Sequence, residues 1–464
     1  MVRLFNIYYP KRTLVLVVSE LLLVILAWLI PMAVSYRGDT PEVLVYEGGF
    51  LRLVVAVGVL WFCVYYVDLY SASVQANPVE VWTRIFVAIG SACIVLAVLY
   101  ELVPTVRLQE SVIFPGVILA SAALCASRTA FFRLNRSPRW AERALLLGSG
   151  PLVSRLATEI AKRPELGIGL IGYVGGPYQD GNKPAVALSQ LGELSAFAEV
   201  IRERPVDRVI VTMSERRGAL PVQELLRLKT QGVMVQDGSQ LYETMAGRLP
   251  VDSVLPGAML FSSGFHVSSS RLLKKRLYSL IISAVALVVT SPLMVLTALA
   301  VAMESRGGPL FRQKRVGLGG RVFEILKFRS MRAGAESMTG PVWAQEKDPR
   351  VTRVGRVIRT LRFDELPQLV NILRGDMNIV GPRPERPHFV DILCDQIPYY
   401  GLRHSVPPGL TGWAQVCYAY GSSVEESREK LEYDLFYIKN MSLSLDLLIL
   451  FITLKTVLLG RGAK

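Results

Sequence analysis

Two adjacent carboxylates, Asp364 and Glu365, are the residues whose type and spacing most directly suggest chemistry. They stand among positively charged side chains, which are Arg359, Arg362, Arg374, Arg383 and Arg386. Paired carboxylates can hold a divalent cation, and guanidinium groups bind phosphate through two parallel hydrogen bonds. Residues 357–384 therefore predict a metal-and-phosphate site.

A short helix is expected to position the two acids. Apolar residues recur there at helical spacing, and they are Leu366, Leu369, Val370 and Leu373. Pro367 suits a first helical turn and Gly375 suits the position just after a helix ends. The acids then lie at the helix start, where free N–H groups favour anions. A plainer interpretation is that Asp364 only caps the helix and the arginines balance charge.

The sequence continues into GDM at residues 375–377 and GPRP at 381–384, neither of which a helix cap requires. From Arg271 onward the chain resembles the bacterial polyprenyl-phosphate phosphoglycosyl transferases, which move a sugar-1-phosphate from a UDP-sugar to a lipid phosphate. The other motifs of this resemblance are SP (291–292), PLFRQKRVG (309–317), LKFRSM (326–331), DELPQL (364–369) and PGLTGWAQV (408–416). Residues 418–440 further resemble the subgroup associated with exosortase-linked exopolysaccharide production.

The resemblance implies roles for individual residues. Asp364 would be the nucleophile that forms a phosphosugar-aspartyl intermediate, and Glu365 would assist through a metal ion or by positioning the lipid phosphate. Oxygen ligands and three dispersed histidines favour Mg²⁺ over zinc at these two acids. The positions that hold phosphates in the family are here Lys327, Arg329, Arg359 and Arg383. Asp376 and Asp446 are weaker candidates for substrate binding, with a structural role as the alternative.

One position departs from the family pattern. Many members carry a basic residue where this chain has Pro407. The change removes a cationic contact to the nucleotide or the membrane, unless Arg403 or His404 supplies it.

Composition points to a membrane and to anionic partners. Hydrophobic residues make up 51% of the 464 residues, which is too apolar for a soluble protein of this size. The net charge of +14 suits an anionic membrane surface or anionic substrates. Nucleic acid is not expected as a partner, because the basic residues flank apolar runs instead of forming a stripe with aromatic side chains.

Four apolar runs open the chain, at residues 13–34, 50–69, 81–103 and 111–132. Each approaches the roughly 20 residues that a transmembrane helix needs. Basic residues precede the first run and follow the fourth, so both ends of the region are expected in the cytoplasm. Residues 1–138 are therefore predicted to form a four-helix transmembrane region.

Residues 139–250 predict a Rossmann-like accessory domain, because buried strands alternate with helices and favour a parallel sheet. Gly148 and Gly150 match the first two glycines of a dinucleotide fingerprint, but Val153 holds the third position. No acidic residue ends the second strand, where a ribose would be bound. A structural or regulatory module, which could support a homodimer, is favoured over a dinucleotide site.

A linker at residues 251–270 leads to the mainly α catalytic domain expected at residues 271–464. Its first element, residues 272–304, is long enough to span a membrane, but Ser291 and Pro292 interrupt it. The Ser291 hydroxyl could bind a carbonyl that Pro292 leaves free. Basic residues flank both ends, which favours a re-entrant helix that returns to the cytoplasm over a kinked span.

These features predict a membrane protein, an α-helical bundle plus α/β, that makes undecaprenyl-diphosphate-sugar and UMP and so starts a surface glycan. The expected partners are a UDP-sugar, undecaprenyl phosphate, Mg²⁺ and membrane lipids, with the catalytic domain on the cytoplasmic side of a bacterial inner membrane. One alternative is a membrane-anchored regulatory protein whose α/β domain senses a nucleotide, although the intact motifs oppose it. Another is a nucleotide-sugar dehydratase or epimerase, which normally needs a Tyr-x-x-x-Lys pair that this sequence lacks.

Overall fold

The computed structural model describes residues 1–70, 78–136, 141–176, 188–213, 220–253, 259, 263–304, 307–332, 350–418 and 423–458. The chain forms two compact units. One contains residues 1–2 and 8–238, and the other contains residues 3–7 and 239–464. Two short strands, β1 (Val2–Leu4) and β2 (Ile7–Tyr9), open the chain.

The first unit begins with α-helices, which are α1 (Lys11–Ser35), α2 (Thr40–Tyr46), α3 (Gly49–Tyr66), α4 (Pro78–Leu102) and α5 (Glu110–Arg136). Each of the four apolar runs of the sequence folds as a helix whose length and hydropathy suffice to cross a membrane. Helices α1 and α5 pack closely, because Gly116 leaves room for the Trp28 ring where any Cβ would collide with it. These apolar helices make the chain a membrane protein.

A buried ion pair lies inside this helical region. Arg128 on α5 contacts the Glu20 carboxylate on α1 at 2.7 Å, and both side chains are at most 1% exposed. Tyr70 and Ser127 donate further hydrogen bonds to Glu20, at 2.6 and 2.9 Å. Charges between apolar helices are tolerated when they are paired in this way, so the contact joins α1 to α5.

The rest of the first unit is a parallel α/β sheet, as the sequence predicts. Its strands and helices are β3 (Glu142–Leu147), α6 (Pro151–Ala161), β4 (Ile168–Val174), β5 (Gln190–Gly192), α7 (Phe197–Glu203), β6 (Arg208–Val211), α8 (Val222–Thr230) and β7 (Met234–Asp237). The spatial order is β5-β4-β3-β6-β7, and every pairing is parallel. Gly148 and Gly150, in the turn after β3, both have positive φ, which explains glycine at these two positions.

After residues 3–7, the second unit continues with α9 (Gly238–Ala246), which belongs to it from Ser239 onward. Its elements are α10 (Ser269–Glu304), β8 (Leu310–Val316), β9 (Val322–Phe328), α11 (Arg353–Thr360), α12 (Gln368–Arg374), β10 (Asn378–Val380), α13 (Pro387–Gln396), β11 (Gly409–Thr411), α14 (Trp413–Cys417), α15 (Val424–Asn440) and α16 (Leu443–Leu458). Strands β8 and β9 form an antiparallel hairpin, whereas β10 and β11 pair in parallel. A core that includes Ile372, Ile379 and Leu435 joins α12, β10 and α15. Residues 254–258 and 260–262 of the expected linker lie outside the described residues.

Helix α10 has 36 residues and starts at Ser269, three residues before the boundary expected from the sequence. It is helical through Ser291 and Pro292. Because Pro292 has no N–H, the Val288 carbonyl loses its usual helical donor. The Ser291 hydroxyl donates to that carbonyl at 2.8 Å, which confirms the hydrogen bond predicted for this serine. Val288 and Val289 are 73% and 71% exposed, as suits a helix in contact with lipid.

Candidate active site

Helix α12 begins later than the sequence predicts, so the two acids precede it instead of lying at its start. Residues 363–365 form a separate 3₁₀ turn, Pro367 follows it, and α12 begins only at Gln368. Arg362 starts the turn with a φ of 59°, an αL conformation that costs on the order of 1 kcal/mol for a residue with a side chain. Gly375 ends α12 with a φ of 103°, as expected for glycine after a helix.

The buried face of α12 coincides with the predicted apolar face only at Leu369. Its buried residues are Gln368, Leu369, Asn371 and Ile372. Two of these are polar, and polar side chains inside a protein are normally hydrogen-bonded. The face was mispredicted because apolar spacing alone does not reveal where neighbouring elements supply polar partners.

Asn371 joins α12 to strand β9. Its Oδ1 accepts a hydrogen bond from the Leu326 N–H at 2.9 Å, and its Nδ2 donates to the Glu324 carbonyl at 2.7 Å. Lys327 is the next residue of the same strand. These bonds therefore fix the strand that carries Lys327 against the helix that follows the two acids.

Glu365 lies at the centre of a cluster of cations. Its Oε1 is 3.0 Å from a guanidinium nitrogen of Arg383, 3.6 Å from Nζ of Lys327 and 3.9 Å from a guanidinium nitrogen of Arg362. Burial alone would raise the pKa of Glu365, but Arg383, Lys327 and Arg362 lower it to about 2. Glu365 is therefore ionised at neutral pH and positions the cations around it.

Asp364 has the opposite electrostatic balance. Burial, followed by the neighbouring Glu365 carboxylate, raises the pKa of Asp364 above its ordinary value, although Lys327, Arg359 and Arg383 oppose the shift. A carboxylate with a raised pKa is a better nucleophile once ionised. Two adjacent carboxylates whose pKa values move apart are suited to different tasks.

The side chain of Arg403 supports the backbone of Arg383. A guanidinium nitrogen of Arg403 donates to the Arg383 carbonyl at 2.9 Å and to the Asp434 carboxylate at 2.9 Å. A second nitrogen of Arg403 donates to the Tyr400 hydroxyl. Arg403 is 6% exposed and Asp434 is 2% exposed, so this ion pair lies in the interior behind the GPRP loop.

The suggestion that Arg403 or His404 replaces the basic residue missing at Pro407 is wrong. The Arg403 guanidinium is buried against Asp434 and therefore does not reach a nucleotide or a lipid. Burial and the Arg403 charge lower the pKa of His404 to about 4, so this histidine is neutral at pH 7. Sequence proximity suggested both residues, but the Arg403 side chain is buried, and His404 is half-buried and neutral.

Two further residues that were predicted to bind phosphate, Arg359 and Arg329, differ in their surroundings. Arg359 is close enough to Asp364 to affect its pKa, and its Nε donates to the Ser330 hydroxyl at 2.8 Å. Arg329 follows the end of β9, and its guanidinium lies beside Gly307. The structure thus brings Lys327, Arg359 and Arg383 together around the acids.

Asp376 and Asp446 have structural surroundings. Asp376 lies beyond the far end of α12 and accepts a hydrogen bond from Nδ2 of Asn371 at 3.0 Å. Asp446 is 1% exposed and contacts Lys275 at 2.7 Å and the Tyr437 hydroxyl at 2.6 Å. The geometry favours the structural alternative for both carboxylates.

The acids differ in their suitability for Mg²⁺. No three His, Cys, Asp or Glu side chains converge within the described part of the chain. Magnesium sites in nucleotide-using enzymes often combine one or two carboxylates with substrate phosphates and water, and Asp364 fits that pattern. Glu365 fits it less well, because three cationic side chains surround its carboxylate.

Sequence reasoning missed Asn371, Gln368 and the Arg403–Asp434 pair. A usable signal existed for the first two, since an amide at positions 368 and 371 interrupts an otherwise apolar stretch at helical spacing. No comparable signal marked Asp434, which lies 31 residues after Arg403 in a charged segment.

Comparisons with known proteins agree with the motifs. Residues 270–460 match the model of the bacterial sugar transferase family. Over 99% of its length the chain is 31% identical to an undecaprenyl-phosphate glucose phosphotransferase of Komagataeibacter xylinus, covering 86% of that relative. It is 45% identical over 190 residues to a UDP-glucose:undecaprenyl-phosphate glucose-1-phosphate transferase of Caulobacter vibrioides, covering 70% of the relative and 40% of this chain.

A third relative carries a different sugar in its name. The chain is 44% identical over 242 residues to a UDP-N-acetylgalactosamine-undecaprenyl-phosphate N-acetylgalactosaminephosphotransferase of Aeromonas hydrophila. The match covers 52% of this chain and 56% of that relative. Given the nearly full-length match to the Komagataeibacter protein and the cation cluster around Asp364 and Glu365, this chain belongs to the bacterial sugar transferase family.

Proposed function

We propose that this membrane transferase moves a sugar-1-phosphate from a UDP-sugar to undecaprenyl phosphate, giving undecaprenyl-diphosphate-sugar and UMP. The names of the relatives support this reaction class, because each names undecaprenyl phosphate as a substrate. The observation that carries the proposal is the contact of the Glu365 carboxylate with Lys327 and Arg383, directly beside Asp364.

The first step is attack on the donor by Asp364. A carboxylate oxygen of Asp364 bonds to the β-phosphorus of the UDP-sugar, and the bond from that phosphorus to the oxygen bridging toward the α-phosphate breaks. UMP leaves with that oxygen and its electron pair. Lys327 and Arg383 stabilise the negative charge that develops on the phosphate oxygens, and Glu365 keeps both cations in position.

The second step regenerates the carboxylate. An oxygen of undecaprenyl phosphate bonds to the phosphorus of the phosphosugar, and the bond from that phosphorus to Asp364 breaks. Dividing the transfer into two displacements lets one cluster of cations serve both the nucleotide and the lipid phosphate. Mg²⁺ held by Asp364 and phosphate oxygens would supply further neutralisation of charge on the leaving group.

The proposed architecture brings the soluble donor to the lipid acceptor. Residues 271–464 form the catalytic domain, with a re-entrant α10 that returns to the cytoplasmic face of a bacterial inner membrane. Residues 1–138 anchor the chain, and the α/β domain of residues 139–250 is accessory, with self-association to a dimer as one role. Basic residues at both ends of α10 support the re-entrant arrangement, including Lys274 before the apolar part and Arg312 after it.

The test is UMP release from a panel of UDP-sugars, with undecaprenyl phosphate and Mg²⁺. The panel includes UDP-glucose and UDP-N-acetylgalactosamine, because the relatives are named for both sugars. We expect lipid-dependent UMP from one donor, and loss of this activity in Asp364→Asn. Asp391→Asn is the matched control, since Asp391 is an exposed residue of α13. UMP release from no donor would exclude the proposed reaction.

A further inference from the structure

A small cavity lies beside the cation cluster. Three of the side chains that line it are cationic, and they are Arg315 on β8, Lys327 on β9 and Arg383 in the GPRP loop. Arg315 also donates to the Pro384 carbonyl at 3.1 Å and lies 3.5 Å from the Glu385 carboxylate, so it fixes one wall of the cavity. A cavity with such a lining is suited to an anionic ligand.

Gln368 also lines this cavity, and it is 2% exposed. Among the described residues, its side-chain Nε2 meets no hydrogen-bond acceptor. A buried amide donor without a partner is uncommon in native proteins, because leaving it unsatisfied costs its desolvation free energy. The N–H groups of Gln368 are therefore available to a bound molecule that carries an acceptor.

The other buried amide of α12 shows the contrast. Asn371, one helical turn later, is hydrogen-bonded through both its Oδ1 and its Nδ2. The local fold can thus satisfy a buried amide where the role is structural. In the part of the chain that the structure describes, no acceptor pairs with Nε2 of Gln368, and Gln368 is where the helix lines the cationic cavity.

We infer that Gln368 is a substrate-binding residue whose Nε2 donates a hydrogen bond to a phosphate oxygen held in this cavity. The three cations favour an anionic oxygen. The planar amide of Gln368 adds a donor of fixed direction, whereas the three donors of a lysine ammonium rotate. The identity of the phosphate rests on the proposed function: it belongs either to the diphosphate of the UDP-sugar or to undecaprenyl phosphate.

The experiment compares Gln368→Met and Gln368→Glu with the wild-type full-length chain. Methionine keeps the approximate volume and removes the donor, whereas glutamate places a negative charge against the phosphate. Gln396→Glu is the matched control, because Gln396 is an exposed residue at the end of α13. The KM values for the UDP-sugar and for undecaprenyl phosphate are measured separately, together with kcat and the melting temperature.

We expect Gln368→Met to fold and to raise one KM by roughly tenfold or more, as for a lost hydrogen bond to a charged group. Gln368→Glu should raise the same KM further, and Gln396→Glu should leave both unchanged. The substrate whose KM rises identifies the source of the phosphate. Unchanged KM values in a folded Gln368→Met variant would overturn the inference, whatever happens to kcat or to the melting temperature.

Binding without turnover separates this inference from the proposed function. Calorimetric titration with UDP and with inorganic phosphate requires no sugar transfer. If the wild type releases no UMP but Gln368→Met weakens binding of either probe, the phosphate site stands and the reaction falls. Failure of the wild type to bind both UDP and inorganic phosphate would overturn the phosphate site itself.

Discussion

The buried ion pair between Arg403 and Asp434 allows a stringent test of how Arg383 is positioned. Arg403→Met removes the cation from Asp434, which is 2% exposed, and removes the donor from the Arg383 carbonyl. Breaking a buried ion pair by removing one partner costs about 3–5 kcal/mol. In a domain of this size, that cost lowers the melting temperature by roughly 6–20 °C.

The cost should depend on pH. Burial, only partly opposed by Arg403, raises the pKa of Asp434 to about 6 in the intact protein. Without Arg403 the pKa rises further, so Asp434 takes up a proton more readily. Because a protonated carboxyl needs no counter-ion, the difference in melting temperature between Arg403→Met and the wild type should shrink as the pH falls from 8 toward 5.

A second variant separates stability from activity. In Arg403→Met/Asp434→Leu the buried charge is gone, and we expect a higher melting temperature than in Arg403→Met. The Arg383 carbonyl still lacks its donor, so kcat/KM should stay reduced by roughly tenfold. Arg428→Met is the control, because Arg428 forms a partly exposed pair with Asp252 and such pairs contribute about 0–1 kcal/mol.

The assay is thermal unfolding in detergent, followed by intrinsic tryptophan fluorescence, with UMP release measured on the same samples. A melting temperature for Arg403→Met equal to that of the control would refute the buried-pair reasoning. Full activity in the double variant would refute the positioning of Arg383 by Arg403.

Four further predictions concern the cluster and the residues that support it. Asn371→Leu removes the bonds that join α12 to β9 and should destabilise the chain by about 2–4 kcal/mol, measurable as a lower melting temperature; an unchanged value would contradict the role of this asparagine. UMP release should fall in acid as Asp364 gains its proton, at a pH above that of an ordinary aspartate, because its folded pKa is raised. Glu365→Gln should move that loss of activity to lower pH, since burial still raises the pKa of Asp364 but the charge of Glu365 no longer adds to it; a pH profile of kcat/KM that does not move would contradict the coupling. Chelation with EDTA should abolish UMP release and added Mg²⁺ should restore it, whereas full activity in EDTA would exclude the metal.

Elements that depend on local pattern could be predicted from the sequence. The apolar runs gave helices long enough to span a membrane, and the alternating strands gave a parallel sheet. Gly375 follows the helix as expected, and the Ser291 hydroxyl binds the carbonyl freed by Pro292. These features follow from backbone hydrogen bonding within a few residues, which the sequence expresses directly.

Features that depend on tertiary contacts could not be predicted in the same way. The two acids lie in a 3₁₀ turn at residues 363–365 that precedes α12. Glu365 contacts Lys327, which is 38 residues earlier in the sequence. Arg403 was one candidate to replace the basic residue missing at Pro407, but its ion pair with the buried Asp434 holds it in the interior. Charge on a side chain reveals its chemistry but not the direction in which the fold points it.

The covalent role of Asp364 is tested most directly by a single-turnover measurement without the lipid acceptor. Full-length protein is mixed with excess UDP-sugar and Mg²⁺, the UMP released is counted per chain, and the peptide that contains Asp364 is examined by mass spectrometry. A covalent intermediate predicts a burst of about one UMP per chain and a phosphosugar on Asp364, both absent in Asp364→Asn. UMP release that requires undecaprenyl phosphate from the first turnover, with no adduct on Asp364, would contradict the two-step mechanism.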